Sequence, residues 1–501
     1  MNLPFAALVV ADPLAVVIQP GTIPVTGVAF DTRDLRPGDV FVCRRGFNLD
    51  SHAYIEAALQ AGAAGIVAER AVAASPDVGV ALVPDGRRAL AALARCFWGY
   101  PDRRLGMVGV TGTDGKTTTT RLIGWMLRAY GVSTGELTTI SVRIGSAERA
   151  KGTRLTTPEA PVAAKYLHAM VDAGTDWAVL EVASHALALA RVDGFNFNRA
   201  VVTNVTHEHL DLHGDLAGYR RAKRHLLELL DATPDGPRGK AAVLNADDPV
   251  AAGFRAGLGA PVITFGLEQP ADVRATFRTE ASGALTVEGT SPWGAWRAET
   301  PLLGSINAAN VAAALACVGS ITGEVGPGVA ALAEFPPVPG RMEVVRRGQP
   351  FQVVVDFAHT PHALAGRLTE LRATTAGRLI VVFGSAGEQD RAKRPMLGAV
   401  AARLADLAVI ADEDPRREPP RDIAEAIVAG GRAVPGGAAF EIVLDRRQAI
   451  TYAMRLARAG DTVLLTGKGH EPNIIYDGYE IPWNERQAAE DALAAAGYGP
   501  G

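Results

Sequence analysis

The sequence predicts an α/β protein of three domains, and three observations carry that expectation. The chain's 501 residues exceed what one ordinary hydrophobic core accommodates. Short, wholly apolar runs alternate with helical patterns along most of it, as βαβ units require. A proline-rich break, Phe335-Pro336-Pro337-Val338-Pro339-Gly340, interrupts that alternation once, because closely spaced prolines block helix and ladder alike. With 48% apolar and 21% charged residues, the whole chain is expected to fold.

Taken in order, Ile23 to Glu69 alternates Val40-Phe41-Val42 and Ala64-Gly65-Ile66-Val67 with a helical stretch around Ala53 to Ala61, which makes a small N-terminal α/β domain, 1–101, ending near Pro101. From Leu105 to Leu315 the runs Met107-Val108-Gly109-Val110, Trp177-Ala178-Val179-Leu180 and Ala241-Ala242-Val243-Leu244 are separated by helical patterns such as Thr117 to Tyr130. This segment reads as a P-loop ATPase-like parallel-sheet domain, 102–335. Beyond the break, Phe351 to Val355, Leu379 to Phe383, Leu407 to Ile410 and Val463 to Thr466 alternate with Ala-rich helices, giving a C-terminal Rossmann-like, doubly wound domain, 336–501.

Lys plus Arg number 50 against 54 for Asp plus Glu, a net charge of -4, which supplies no overall drive toward nucleic acid or anionic lipid. Cys43, Cys96 and Cys317 lie far apart with no C-x-x-C pair, so neither a disulfide framework nor a thiol metal site is expected, and a cytoplasmic setting fits. The opening stretch Met1 to Gln19 is apolar but contains Asp12 and no basic leader, which argues against a signal peptide, and no uninterrupted span suits a bilayer.

After the strand ending at Val110 comes Thr111-Gly112-Thr113-Asp114-Gly115-Lys116-Thr117-Thr118 and then a helix, the order that cradles phosphate on backbone N–H groups. Gly112 and Gly115 let the main chain wrap a β-phosphate, Lys116 can neutralise β and γ oxygens, and the Thr117 hydroxyl can hold Mg²⁺. The usual first glycine of the motif would fall at Val110, so the pattern is incomplete, and a plain glycine turn is the other reading. Glu181 ends a buried strand, where a carboxylate serves either as a metal ligand or as a helix cap. Thr206 to His213 packs three histidines and two acids into eight positions without the H-E-x-x-H arrangement of a zinc site, which fits magnesium chemistry better. On the helix Tyr219 to Leu230, Lys223 falls in line with the apolar face, either aimed inward or snorkelling past the stripe.

These motifs resemble the Mur ligases, most closely the branch that adds the third residue of the cell-wall peptide. The resemblance runs through Phe30-Asp31-Thr32-Arg33, Gly109 to Thr118, Thr156-Thr157-Pro158, Glu181 to Leu187, Thr203-Asn204 to Gly214, Asn245 to Pro249, Pro339 to Glu343, Asp356 to Pro361 and Gly467-Lys468-Gly469-His470-Glu471. It implies an ATP- and Mg²⁺-dependent acid–amino-acid ligase of the EC 6.3.2 class, acting in the cytoplasm as a monomer on UDP-N-acetylmuramoyl-L-alanyl-D-glutamate and a free diamino acid. Thr32 and the loop near Arg44 to Asn48 would hold the UDP end; Thr156, Thr157, Ser184 and Arg191 would grip the dipeptide. Glu181 and His209 match metal ligands, and Lys223 matches a lysine carbamylated by carbon dioxide to bind a second Mg²⁺. Asn245, Asn307 and Asn310 would hold the adenosine side, with Arg341 and Asp356 closing on it from the third domain.

Diaminopimelate-adding members carry Asp-Arg-Asp and Asp-Asn-Pro-Arg where this chain has Glu388-Gln389-Asp390 and Glu413-Asp414-Pro415-Arg416. Gln389 replaces a cation and Asp414 a neutral amide, which makes the acceptor pocket more acidic by roughly two charge units and favours a bare ammonium. L-Ornithine or L-lysine is therefore expected as the added residue, while Arg416 and Glu471 keep meso-diaminopimelate as an alternative; Gly467 joins them among the substrate-binding residues the resemblance implies. The rival readings are a ligase of the folylpolyglutamate or amino-acid-polymer type, a catalytically silent nucleotide-binding partner, and a switch GTPase, the last lacking an Asn-Lys-x-Asp signature.

Overall fold

The computed structural model describes residues 2–46, 50–151, 153, 155–206, 213–280 and 283–499. They form two compact units: Met1–Thr276 with Glu288–Ala298 and Ala309–Leu332, and Phe277–Val287 with Glu299–Ala308 and Ala333–Gly501.

The first unit opens with a five-stranded sheet of β1 (Val16–Gln19), β2 (Gly27–Ala29), β3 (Asp39–Val42), β4 (Gly65–Ala68) and β5 (Gly79–Leu82), ordered β1-β5-β4-β3-β2. The runs at Val40 and Ile66 are buried on both sides, as parallel strands under helices must be, and only edge strand β1 is antiparallel. The helix Gly86–Phe97 starts where the Asp85 carboxylate accepts from the N–H groups of Arg87 and Arg88, and it packs its apolar face on this sheet.

The central sheet comprises β6 (Gly106–Thr111), β7 (Thr134–Leu137), β8 (Ser141–Ile144), β9 (Ala147–Ala150), β10 (Trp177–Glu181), β11 (Arg199–Val202), β12 (Ala241–Asn245), β13 (Val262–Gly266), β14 (Val273–Thr279), β15 (Leu285–Ser291) and β16 (Gly294–Thr300). Its order is β16-β15-β14-β13-β12-β11-β6-β10-β7-β8-β9. The core strands are parallel, but β7, β8 and β9 pair antiparallel. The sheet is therefore mixed rather than purely parallel, because the Ile144 to Ala147 turn is too short for a crossover. Strand β6 sits between β10 and β11, with Glu181 opposite Val110, so the carboxyl ends of three strands meet at one point. Open α/β sheets bind ligands at such a point.

The helix Ser305–Thr322 does meet the length and hydropathy of a membrane-crossing segment, contrary to the expectation from the sequence. However, 67% of it is buried within the fold, as for a core helix.

In the second unit β17 (Glu343–Val344), β18 (Gln352–Val355), β19 (Leu379–Phe383), β20 (Leu407–Ile410), β21 (Ala439–Ile442) and β22 (Thr462–Leu465) form a sheet ordered β17-β18-β22-β19-β20-β21, parallel except at β17. Alternate residues feed opposite cores: Val353, Ile380, Val382 and Val463 face one, and Val354, Val381, Phe383 and Leu464 the other. A buried ion pair, Arg446 with Glu485, ties two helices of this unit, and Arg446 also donates to Asp412 O and Thr466 O.

Candidate functional site

The glycine loop leaves β6 and enters the helix Lys116–Arg128 through Gly115 at φ +83, in the left-handed region that favours glycine. A Cβ at Gly115 would lie 2.3 Å from Asn310 Oδ1, and one at Gly112 would lie 1.8 Å from Thr203 Oγ1. Asn204, at the end of β11, accepts from Thr113 N (3.1 Å) and Asp114 N (2.8 Å), while Thr203 Oγ1 donates to Asp114 O at 2.6 Å. The loop is thus held in shape by the neighbouring strand end. Its lysine folds back, with Lys116 Nζ donating to Gly112 O (3.0 Å) and Thr113 O (2.7 Å). Thr118, the last motif residue, is buried within the helix.

Glu181 is buried at the end of β10. Its Oε1 accepts from Thr117 Oγ1 at 2.9 Å, and its Oε2 accepts from the main chain of Thr139 and from Thr139 Oγ1 at 3.0 Å. None of these three bonds caps a helix. Two hard oxygens side by side suit a divalent cation that keeps part of its water shell. Lys223 points inward rather than snorkelling: it is 1% exposed, its ammonium lies 4.6 Å from the Tyr219 ring centroid, and Nζ donates to Gly112 O at 2.5 Å. His209 lies outside the described residues, as do Asn48 and the rest of 207–212. His213 packs edge-on against the rings of His185 and Tyr219.

A cavity of about 270 Å³ brings Gly112, Lys116, Thr156, Ser184, Arg191 and Lys223 together. Thr157 stands apart from it. Its hydroxyl donates to Glu181 O (2.8 Å) and accepts from Ala183 N (2.9 Å), so it holds the turn after β10. Arg191 donates to Thr157 O and to Glu159, whose other oxygen accepts from Arg44 at 2.8 Å. Burial pushes the Arg191 guanidinium below its usual pKa, and Glu159 partly offsets this. Thr32 lines a second cavity, of about 480 Å³, with Arg33, Arg44, Ser51, Arg87 and Glu159. Glu159 was not anticipated from sequence, since nothing local distinguishes a carboxylate shared by two guanidiniums from a helix-start acid.

Of the three asparagines, Asn310 accepts from Thr119 Oγ1 beside the loop, and Asn245 donates to Thr203 O and accepts from Asp247 N. Asn307, in the second unit, donates to Leu303 O at 2.7 Å. Also in that unit, Arg341 lies over the Phe357 ring at 4.8 Å, and Asp356 accepts from Met342 N, Ala358 N and Arg367 Nε.

The acceptor-side residues gather where β20 and β22 end. Asp414 Oδ1 accepts from Lys468 Nζ (2.8 Å) and Ile475 N (2.9 Å), and Lys468 also donates to Glu471 Oε2 at 2.6 Å. Burial pushes the Glu471 carboxyl above its usual pKa, and the Lys468 ammonium opposes the rise. Contrary to the expectation from sequence, a buried ammonium compensates Asp414, which therefore adds no free charge to the pocket. Gly467, at φ +101, would place a Cβ 2.5 Å from Glu413 Oε2. Among the described residues, the buried Glu413 Oε2, Arg416 Nε and Ser385 Oγ make no hydrogen bond. Gln389 is exposed on the loop between β19 and the helix Lys393–Leu404.

Three family models match the chain: Mur ligase family, catalytic domain, over residues 24–98; Mur ligase middle domain over 110–318; and Mur ligase, glutamate ligase domain, over 340–469. The chain is 45% identical over 488 residues to a UDP-N-acetylmuramyl-tripeptide synthetase of Roseiflexus sp. (strain RS-1), covering 95% of this chain and 96% of the relative. It is 40% identical over 478 residues to a UDP-N-acetylmuramoyl-L-alanyl-D-glutamate--2,6-diaminopimelate ligase of Geobacillus kaustophilus (strain HTA426), covering 95% and 96%. A solved structure of another such diaminopimelate ligase superposes with a TM-score of 0.68 at 28% identity, covering 99% of this chain and 100% of that one.

Proposed function

The chain belongs to the Mur ligase family of ATP-dependent ligases in peptidoglycan synthesis, and from that premise we propose that it joins a diamino acid to UDP-N-acetylmuramoyl-L-alanyl-D-glutamate, with L-ornithine or L-lysine preferred over meso-diaminopimelate. The observation that carries the reading is that one cavity is lined by the phosphate-loop residues Gly112 and Lys116 and by Lys223 together with Thr156, Ser184 and Arg191. A nucleotide phosphate and a carboxylate-bearing peptide would meet there.

One oxygen of the dipeptide's terminal carboxylate bonds to the γ-phosphorus of ATP, the β–γ bridging bond breaks, and ADP leaves. The amine of the diamino acid then bonds to the acyl carbon, the acyl–phosphate bond breaks, inorganic phosphate leaves, and a proton is lost from nitrogen. Both steps bring anions together, so positioned cations and N–H groups carry most of the work. Lys116 exchanges the carbonyls of Gly112 and Thr113 for phosphate oxygens, and, with the Thr113 and Asp114 N–H groups held by Asn204, the loop's remaining N–H groups receive the β-phosphate. Arg191 orients the peptide carboxylate. Mg²⁺, when bound, supplies positive charge that offsets the triphosphate. Thr117 and Glu181 would hold it, with His209 and a carbamylated Lys223 completing the set.

The chain would work as three domains, 1–101, 102–335 and 336–501, the first taking UDP at the cavity containing Thr32 and the last taking the amino acid. The buried, unbonded Glu413 Oε2 favours an acceptor that ends in an ammonium, and the similarity to the Roseiflexus tripeptide synthetase is compatible with this. We place the protein in the cytoplasm as a monomer. Purified protein given ATP, Mg²⁺, the UDP-linked dipeptide and, separately, ornithine, lysine and meso-diaminopimelate should release phosphate and yield the tripeptide mass with ornithine or lysine. Turnover only with diaminopimelate would reverse the acceptor reading. ATP binding without turnover on any amine would favour a folylpolyglutamate-type ligase or a silent partner.

A further inference from the structure

Lys151 follows β9 and precedes the segment that carries Thr156. Its Nζ donates to three main-chain carbonyls: Thr138 O at 2.7 Å, Leu155 O, and Thr156 O at 2.8 Å. An ammonium has three donors, so this cage satisfies it. The three carbonyls belong to two different segments. Thr138 lies in the turn after β7, immediately before Thr139, which holds Glu181 through its main chain and its hydroxyl. Leu155 and Thr156 both wall the cavity that also contains Lys116 and Lys223. Lys151 is thus the point at which the peptide-side wall is tied to the turn that orients Glu181. Burial lowers its pKa to about 8, against the opposing pull of the Glu181 carboxylate.

We propose that Lys151 is a positioning residue for the peptide substrate, its ammonium locking the Leu155–Thr156 segment onto the Thr138–Thr139 turn so that Thr156 stays in the wall of the cavity that Lys116 also lines. The inference rests on the reading above that this cavity receives the UDP-linked dipeptide. Charge-assisted hydrogen bonds to carbonyls are the strong kind, and their loss frees the segment rather than the nucleotide loop, which has its own clamp at Asn204.

Steady-state phosphate release is measured for the wild type, Lys151→Met, Lys151→Arg and Lys151→Gln, varying the UDP-linked dipeptide at saturating ATP and amine, with ADP affinity by calorimetry. Lys151→Met should raise KM for the dipeptide substrate about 10- to 100-fold, with kcat within about threefold and ADP affinity within about twofold of wild type. Lys151→Arg should recover most of the KM, since a guanidinium still reaches carbonyls with several donors. A dipeptide KM within about twofold of wild type, or parallel losses in KM and ADP affinity with Arg no better than Met, would overturn the assignment. If Lys151→Met does not fold, Lys151→Gln decides in its place: a KM raised at least about fivefold supports the role, and an unchanged one refutes it. Absence of wild-type turnover would bring down the ligase reading and this inference with it, whereas wild-type turnover with unaltered variants would refute Lys151 alone.

Discussion

Replacing Gly115 by alanine separates two contributions to the shape of the nucleotide loop. At φ +83 an L-residue costs about 1–2 kcal/mol relative to glycine. The new methyl would also lie 2.3 Å from Asn310 Oδ1, the end of a side chain that can rotate away only by losing the 3.2 Å bond from Thr119 Oγ1. That loss adds about 1 kcal/mol. The free loop can relieve both by leaving this conformation, so nucleotide binding must restore it at a total cost of about 2–3 kcal/mol, and affinity falls roughly 30- to 150-fold. Calorimetric titration with ADP of the wild type, Gly115→Ala, Asn310→Ala and the double variant measures this. Removing Asn310 takes away the clash but not the φ strain, so the double variant should show a coupling of about 1 kcal/mol. ADP binding by Gly115→Ala within about threefold of wild type would refute the claim that the loop binds in the shape described.

Lys116→Ala should abolish ATP-dependent turnover, by about 100-fold or more, while circular dichroism and the unfolding midpoint stay unchanged; near-normal phosphate release would dismiss the loop assignment. Gln389→Arg, which puts a cation on the exposed loop after β19, should shift acceptor preference toward diaminopimelate, and an unchanged acceptor profile would move selectivity elsewhere. Asp414→Asn should lower stability by about 1–3 kcal/mol in denaturant unfolding, because Lys468 loses a charged partner in a buried place; an unchanged unfolding midpoint would refute that pairing. Asp412 has its pKa raised to about 6, by burial above all. An acid whose folded pKa exceeds its unfolded value favours the folded state at low pH, and that advantage disappears as pH rises from about 4 through about 6. Asp412→Asn, which can still accept from Tyr476 OH, should therefore raise the unfolding midpoint relative to wild type at pH 8 and not at pH 4; equal differences at both would refute the burial argument.

The sequence by itself determined nine strands of the three sheets, β3, β4, β6, β10, β12, β18, β19, β20 and β22, to within a residue or two at each end, because a parallel strand buried on two faces needs an unbroken apolar run. It also determined the nucleotide loop, since Gly112, Gly115 and Lys116 answer to local backbone geometry, and the position of Glu181, which follows from its strand. It gave no sign of the antiparallel strands β8 and β9, whose run Ser141 to Ala150 is half polar. The charge of the acceptor pocket was misjudged for a related reason: Asp414 meets Lys468 across 54 positions of chain. Lys151 and Glu159 were missed likewise, and Asn204 was named in a motif without a role, each being defined by partners on other segments. Backbone conformation and burial leave a periodic trace in neighbouring residues, whereas which polar group completes another's hydrogen bonds is decided only when folding brings distant segments together.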